Sequence, residues 1–390
     1  MYKQEEDTME KTSRNARGNG SVRQREDGTW EARCTIGGKR RSFYGKKQSE
    51  VLKAMRAAQK AEDDGTYLEP VRLTVEKWLS VWLEEYCKPG AKPMTYSTYK
   101  SRIETHILPA LGKIRLTALN ATQIQTFYNA LQREKNLSPK TIKNVHGILH
   151  KALEVAMQLR YIGYNAADAC TLPRMEKREI HPLTEAEIAA FLAEIAEGEP
   201  LADLFTVALF TGMREGEICG LSWDSVDFDG GTITIRQQLC KQKEKGGAFY
   251  IATTKNDRQR TLTVPPFVME ILRGVKRRQS AERFAAGLVW ENEWNLVFTD
   301  PLGCHLVPQT VLKRFKAVAG RIGRPDARFH DLRHTYAVTA LQEGDDVKTV
   351  QENLGHATAS FTLDVYGHVS EKMKKESADR MEQYFRKIHA

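Results

Sequence analysis

Residues 330–334 read His-Asp-Leu-Arg-His and residues 354–356 read Leu-Gly-His, and Tyr366 follows the last of these histidines by ten residues. A second arginine, Arg214, lies far upstream within Thr-Gly-Met-Arg-Glu-Gly-Glu, residues 211–217. Guanidinium groups can bind two oxygens of a phosphate at once, and fixed donors stabilise the negative charge that develops there. Tyrosine can act as a covalent nucleophile. The pattern therefore indicates metal-free chemistry on a phosphodiester.

Each of these residues also has an ordinary structural interpretation. Arg214 alone fits a surface arginine paired with Glu215 or Glu217. His330 and His334 are four apart, as in a zinc-binding helix, but no glutamate follows the first histidine and the arginine between them would repel a dication. His-x-x-Arg at the start of a predicted helix instead places both side chains on one face. We expect no metal and no cofactor.

The proposed nucleophile and general acid need support from their neighbours. Tyr366 is one of 13 tyrosines. The pKa of an isolated tyrosine is about 10, so Tyr366 would require a base such as His330. Lys255 lies between two predicted strands, at about 248–253 and 260–264, and could protonate the leaving oxygen. A solvated hairpin lysine is the alternative interpretation, and three other lysines precede Lys255, namely Lys241, Lys243 and Lys245.

Length and composition indicate a multidomain globular protein. The chain has 390 residues, enough for about two to three domains, with 41% hydrophobic and 28% charged residues. It contains no apolar run of about 18 residues and no signal-peptide pattern, so we expect a cytoplasmic protein without a membrane span. The six scattered cysteines predict free thiols in a reducing compartment.

The positive charge is concentrated near the N-terminus. The net charge is +9, and residues 11–60 contain 14 lysines and arginines but only 4 acidic residues. The remainder, with 45 basic and 46 acidic residues, is close to neutral. A local excess of this kind predicts a nucleic-acid partner. The alternative is a solvated basic tail, but aromatic residues and strand patterning are interleaved with the charge.

The basic segment is predicted to form a small sheet and a helix. Residues 1–19 are polar and predicted to be disordered, whereas residues 20–45 alternate like three strands separated by Asp-Gly and Gly-Gly turns. A helix should follow at about 47–63. One sheet face can pack on that helix, and the other can enter a DNA major groove. Depending on register, the candidate DNA-binding residues are Arg23, Arg25, Arg33, Lys39 and Arg41.

The rest of the chain divides into a helical block and a larger mixed region. Four amphipathic helices are predicted within 72–170, with capping signals at Thr74, at Asn120 and at Ser138 before a proline. Lys100, Lys140 and Lys143 are candidate DNA contacts of this block. Residues 180–390 are predicted to be mostly helical with a small antiparallel sheet, and Thr184 with Glu187 predicts a capping box at the first helix. The expected fold class is a multidomain α+β protein.

The order Arg…Lys…His-x-x-Arg…His…Tyr resembles the tyrosine recombinase (phage integrase) family, and in particular the integrases of conjugative transposons and temperate phages. The resemblance implies three domains after the N-terminal tail. Residues 20–66 would bind arm-type DNA sites, residues 72–170 would bind the core site, and residues 180–390 would form the catalytic domain. The last two domains would close around the DNA as a clamp.

The resemblance also implies a role for each motif residue. Arg214 and Arg333 would hold the scissile phosphate, and His356 would donate to a non-bridging oxygen. His330 would exchange a proton with the tyrosine. Tyr366 would form a 3′-phosphotyrosyl bond without metal or ATP. The general acid for the 5′-hydroxyl would be Lys255.

Implied partners are double-stranded DNA with core and arm sites, a homotetramer on that DNA, a directionality factor and a DNA-bending protein, but no membrane. The C-terminal helix, at about 370–386, would dock on a neighbouring protomer. Two alternatives remain. A type IB topoisomerase shares the chemistry without strand exchange, and a catalytically silent DNA-binding regulator could share the scaffold.

Overall fold

The computed structural model describes residues 20–65, 67, 72–175, 180–242, 247–254, 259–355 and 371–389, the side chains of 371–377 excepted. The chain forms two compact units, one that ends at residue 176 and one that begins at residue 177. The N-terminal segment 1–19, predicted to be disordered, lies outside the described residues. Among the described helices, none is both long and apolar enough to cross a membrane. All six cysteines are free thiols.

The first unit begins with the predicted three-stranded sheet and helix. The sheet is antiparallel in the order β1-β2-β3, and its inner face packs on the helix through Ala32, Cys34 and Ile36 against Val51 and Met55. Because alternate side chains of a strand point to opposite faces, this packing fixes which residues face outward. The elements are β1 (Ser21–Gln24), β2 (Trp30–Ile36), β3 (Lys39–Gly45) and α1 (Gln48–Asp63).

The strand register corrects the predicted basic face. Arg33 follows Glu31 by two residues in β2, and Arg23 lies opposite Glu31, so both arginines belong to the outer face. Lys39 pairs with Ile36 and Arg41 pairs with Cys34, so these two belong to the helix-facing side instead. The alternation of residues along β3 did not show on which face of the sheet Lys39 and Arg41 lie, and the pairing of β3 with β2 does. Arg40, which pairs with Thr35, takes their place on the outer face.

The remainder of the first unit is the predicted helical block. Thr74 caps the first of its helices by accepting from the Lys77 amide, Asn120 and Gln123 form a capping box, and Ser138 precedes a proline at the first helical position. These three capping predictions are confirmed. The helices are α2 (Val75–Val81), α3 (Pro93–Arg102), α4 (Leu108–Leu111), α5 (Ala121–Arg133) and α6 (Pro139–Gln158), with π-helical turns at Trp82–Cys87 and Ile103–Ile107 and a 3₁₀ turn at Leu116–Ala118.

The second unit is mostly helical, as predicted. Its first helix is capped by Thr184 and Glu187 in the predicted capping box. The helices are α7 (Glu185–Ala196), α8 (Ala202–Thr211), α9 (Glu215–Cys219), α10 (Pro266–Ala286), α11 (Pro308–Arg321), α12 (Phe329–Gln342), α13 (Val347–Leu354) and α14 (Glu371–Ile388), with 3₁₀ turns at Trp223–Ser225 and Gly287–Val289.

Two small antiparallel sheets accompany these helices. The strands are β4 (Val226–Asp227), β5 (Thr232–Ile235), β6 (Gln237–Lys241), β7 (Phe249–Thr253) and β8 (Arg260–Thr263). Within the described residues, β8 pairs with β5, whereas β7 pairs with β6. The interpretation of 248–253 and 260–264 as the arms of one hairpin is therefore wrong. Lys255 itself lies outside the described residues, in the connection between the two sheets.

An aromatic cluster fixes the two helices whose ends carry the Thr-Gly-Met-Arg and His-Asp-Leu-Arg-His motifs. Phe205 of α8 contacts Phe329 at the start of α12, with ring centroids 6.2 Å apart, and both rings lie about as close to Phe315 of α11. Phe191 of α7 completes the cluster at 6.2 Å from Phe205. Close-packed aromatic rings resist displacement. The C-terminal end of α8 and the N-terminal end of α12 are thus set by one core.

Candidate active site

The site begins at the glycine that ends α8. Gly212 adopts the left-handed conformation, with φ of 62°, and a Cβ there would lie 2.7 Å from both Tyr336 and Leu354. Only glycine avoids both the backbone strain and the steric clash. The Thr-Gly-Met-Arg motif therefore needs its glycine to bring α8, α12 and α13 together.

Arg333 joins the same three elements by hydrogen bonds. Its side chain is 2% exposed, Nη1 donates to the Gly212 carbonyl at 2.7 Å, and Nη2 donates to the Leu354 carbonyl. A buried arginine is tolerated only where its N–H groups find acceptors. The sequence predicted a phosphate-binding role for Arg333, and the structure adds a structural one, because the guanidinium closes the turn after α8 onto the end of α13.

Arg214 lies just before α9 and bonds to a buried carboxylate. Its Nη1 donates to Glu217 at 2.7 Å, and its backbone amide donates to the same carboxylate at 2.9 Å. Its Nη2 approaches the Gly355 carbonyl at 3.5 Å. The side chain remains 31% exposed, so the guanidinium is held in place yet accessible to a ligand. Of the two predicted acidic partners, Glu217 is the one that pairs.

The sequence did not indicate that the Glu217 carboxylate accepts from two arginines, nor that Arg260 is the second of them. Arg260 donates through both terminal nitrogens to Glu217, at 3.0 and 2.6 Å, and through Nε to the Asn353 carbonyl at 2.8 Å. Burial by itself would raise the pKa of Glu217, but the hydrogen bonds and charge of Arg260, with the charge of Arg214, hold that pKa at about 2. The three-residue spacing from Arg214 was a signal for Glu217. The sequence holds none for Arg260.

His330 and His334 lie on successive turns of α12, with ring centroids 4.8 Å apart in an edge-to-face arrangement. Burial, followed by the charge of His330, lowers the pKa of His334 to about 4. The pKa of His330 is also lowered, first because surrounding protein atoms displace water from its ring and then because Arg333 and Arg214 are positively charged. Both imidazoles are therefore neutral at pH 7. A neutral imidazole has an unprotonated ring nitrogen that can accept a proton, and the two nearby guanidinium charges make it a weaker base than a free histidine.

Glu215, the residue after Arg214, differs from Glu217. Its Oε1 is buried and has no hydrogen-bond partner among the described residues, and it lines a cavity of about 330 Å³ together with His330, Lys316 and Arg328. Burial raises the pKa of Glu215 to about 7. The neutral carboxylic acid is thus the form that folding favours.

Replacing Glu215 should change how stability depends on pH. Because the folded-state pKa is about 7 against an ordinary 4.5, the stabilisation from the bound proton is complete below pH 4.5 and lost as pH rises through about 7. We expect the melting temperature of Glu215→Gln to be higher than that of the wild type, and the difference to grow from pH 5 to pH 8. Scanning fluorimetry across this range measures it. Glu293→Gln, at an exposed position, is the control, and a constant margin for Glu215→Gln would contradict the prediction.

The structure brings part of the predicted set together. Arg214, His330 and Arg333, which are up to 119 residues apart in the sequence, lie in one electrostatic cluster next to Gly355. Three predicted site residues lie outside the described residues: Lys255, His356 and Tyr366. Among the candidate DNA-binding lysines of the helical block, Lys100 is half-buried on α3, whereas Lys140 and Lys143 are exposed on α6.

Comparison with known proteins identifies the family. The family described as "Phage integrase family" matches residues 181–373, and "Phage integrase, N-terminal SAM-like domain" matches residues 74–132. A tyrosine recombinase of Caldanaerobacter subterraneus, named XerC-like, is 31% identical over 367 residues, which covers 89% of this chain and 92% of that protein. This chain belongs to the phage integrase family of tyrosine recombinases. The recombinase is also 25% identical to the ICEBs1 integrase of Bacillus subtilis over 78% of this chain and 81% of that one.

Solved structures share the fold of the recombinase. A structure of the Tn1549 transposon integrase in complex with a circular intermediate DNA aligns with a TM-score of 0.68 at 20% identity, over 79% of this chain and 99% of that one. A lambda integrase dimer bound to a core site aligns with a TM-score of 0.57 at 19% identity, over 92% of this chain and 99% of that one. The mixed fold, mostly helical with small antiparallel sheets, was predicted from the sequence and is confirmed.

Proposed function

We propose that this site-specific recombinase cuts and rejoins DNA through a 3′-phosphotyrosyl bond on Tyr366, and thereby integrates and excises a mobile element. The observation that carries the proposal is the cluster of Arg214, Arg333 and His330 beside Gly355, the residue that precedes His356 in the sequence. Two guanidinium groups with a neutral imidazole suit a phosphate that gains negative charge while a nearby hydroxyl loses its proton.

In the proposed reaction, the Tyr366 oxygen attacks phosphorus and passes its proton to His330. A phosphorus–oxygen bond to the tyrosine forms as the bond to the 5′-oxygen breaks, and Lys255 gives the 5′-oxygen its proton. Arg214 and Arg333 bind the non-bridging oxygens with His356. The phosphotyrosyl link conserves the energy of the broken bond, so a second DNA strand can reverse the reaction with no external energy.

Three further features extend the proposal to partners. The outer face of the β1-β2-β3 sheet would bind arm-type DNA, and α2–α6 would bind the core site. A tetramer would assemble on the DNA, as in the lambda integrase tetramer bound to a Holliday junction, with α14 docking on a neighbour. The exposed apolar side chains of α14 support this role: Met381, Tyr384, Phe385 and Ile388. A directionality factor and a bending protein would assist, and the reaction would take place in the bacterial cytoplasm.

The direct test is a covalent-trapping assay. The full chain is incubated with nicked duplexes that carry the ends of its own element, in parallel with and without EDTA, and the products are separated on a denaturing gel. We expect a protein–DNA band of equal intensity in both lanes. A band that EDTA abolishes would indicate metal-dependent chemistry, and the absence of a band on the correct ends would favour a DNA-binding regulator. Relaxation of supercoiled DNA without strand exchange would instead favour a topoisomerase.

The proposed division of labour between domains predicts the effect of a truncation. Deleting residues 1–70 should weaken binding to arm-type duplexes on the order of 10²-fold or more, because specific contacts would be replaced by non-specific ones. Core-site cleavage should persist, since α2–α6 and the second unit have hydrophobic cores of their own. Gel-shift titration and the trapping assay measure the two effects. Simultaneous loss of core cleavage would contradict the proposed domain boundaries.

A further inference from the structure

The outer face of the N-terminal sheet holds a carboxylate at its centre. Glu31 lies in the middle strand, opposite Arg23 of β1 and opposite Tyr44 of β3, and Arg33 is the next outward-facing residue of the same strand. We refer to Glu31, Arg23, Arg33 and Tyr44 as the outer-face cluster. Glu31 is only 1% exposed, although it belongs to the face away from α1. Its neighbours on that face therefore cover it.

Three donors converge on this one carboxylate. Arg23 Nε donates to Oε2 at 2.8 Å, Arg33 Nε donates to Oε1 at 2.7 Å, and the Tyr44 hydroxyl donates to Oε1 at 3.0 Å. The hydrogen bond from Arg33, followed by those from Arg23 and Tyr44, lowers the pKa of Glu31 to about 2. The carboxylate is therefore ionised at every physiological pH, and both arginines are held by it at once.

Both arginines are held in the same way, through Nε. Neither one's terminal amino groups donate a hydrogen bond to any residue that the structure describes. The Arg23 side chain is 60% exposed and that of Arg33 is 33% exposed, so both side chains remain accessible to a ligand. The two terminal nitrogens of a guanidinium match the O6 and N7 acceptors that guanine presents in the major groove. The hydrogen bond from Nε to Glu31 fixes the plane of each guanidinium group before DNA binds.

A carboxylate at this position weakens any purely electrostatic attachment to DNA. Phosphate contacts supply most of the sequence-independent affinity, and a negative charge among the arginines opposes them. Glu31 is itself 1% exposed, so its three donors also keep a buried carboxylate paired. The arrangement is better explained by recognition than by affinity, because two arginines that are free to rotate would favour any phosphate, whereas two fixed forks favour particular base edges.

We propose that Glu31 is a positioning residue that orients Arg23 and Arg33 to read two guanines in the major groove of the distal DNA site. The inference rests on the proposed function of the N-terminal sheet and adds to it the bases read and the residue that organises the reading. Arg25, whose guanidinium lies 5.6 Å from the Tyr44 ring centroid, borders the cluster.

The test is a selection from a pool of duplexes randomised over about one helical turn, using the full chain and sequencing the bound fraction. We expect the wild type to enrich a motif with two guanines that Arg23→Ala and Arg33→Ala each reduce to one. Glu31→Gln should lower the preference for guanine at both positions by about fivefold or more, while its binding to unselected duplex stays equal or tightens. Glu26→Gln, which removes one negative charge from an exposed position of the same domain, should leave the motif intact.

Two results separate failure of this inference from failure of the proposed function. If the motif is the same in the wild type and in the Arg23→Ala, Arg33→Ala double variant, the sheet does not read DNA and the arm-binding function is wrong. If the motif depends on the sheet but survives Glu31→Gln, only the positioning role is overturned. Arg33→Lys keeps the charge and the contact with Glu31 but lacks the fork. It should lose one guanine from the selected motif, and retention of both guanines would also overturn the inference.

Discussion

Tyr366→Phe should abolish covalent attachment to DNA and leave DNA binding nearly unchanged. The substitution removes one oxygen, the atom proposed to attack phosphorus, and keeps the ring. Loss of a nucleophile costs covalent enzymes about 10⁴-fold or more in rate, since neighbouring groups do not replace the missing bond. The denaturing gel should therefore show no phosphotyrosyl band. The dissociation constant for the core duplex should remain within about threefold of the wild type, because that difference corresponds to less than about 1 kcal/mol.

Other tyrosines provide the control for this prediction. Tyr164→Phe changes an exposed residue in the same way and should retain the band. Equal losses of cleavage and of DNA affinity in Tyr366→Phe would show that the residue supports binding or folding, and the nucleophile would then have to be sought elsewhere.

Glu217→Ala should be strongly destabilising. Glu217 is 2% exposed and accepts from both Arg214 and Arg260, so its removal leaves the nearly buried Arg260 without a counter-charge. Breaking a buried ion pair from one side costs about 3–5 kcal/mol. For a unit of this size, the melting temperature should fall by roughly 10 °C. Glu217→Gln should lose less, since the amide oxygen can still accept one hydrogen bond.

Thermal unfolding followed by circular dichroism measures this effect. Glu270→Ala breaks a surface ion pair with Arg273 and should shift the melting temperature by no more than about 3 °C. Cleavage by Glu217→Ala should also fall below that of the wild type at temperatures where the variant is folded, because Arg214 loses the carboxylate that orients it. A variant that melts with the wild type would show that the two arginines find other acceptors.

Local signals predicted most of the helices, and distant contacts explain what the sequence did not reveal. The caps at Asn120, Ser138 and Thr184 were visible because a helix start is decided by residues within one turn. Strand β6, Gln237–Lys241, was missed because Gln-Gln-Leu-Cys-Lys has little intrinsic strand preference and exists by pairing with β7. The face that Arg41 occupies was likewise set by pairing and not by alternation alone.

The candidate site shows the same division. The motif residues Arg214, His330 and Arg333 were found from their types and spacing, and the structure brings these three together. Arg260 was not found, because its partner Glu217 lies 43 residues earlier and nothing local to β8 indicates a buried ion pair. Residue types predicted the chemistry, whereas the electrostatic balance of the site depends on a tertiary contact.

The hydrogen bonds from Arg333 to the Leu354 carbonyl and from Arg214 to the Gly355 carbonyl attach the end of α13 to the two arginines. A displacement of the chain after Gly355 therefore acts directly on the two arginines proposed to bind the phosphate. By thermodynamic reciprocity, any contact that shifts this segment changes the affinity of the arginines for DNA, and DNA binding changes the strength of that contact by the same factor. A partner that contacts this segment would therefore be coupled to the active site through these two hydrogen bonds.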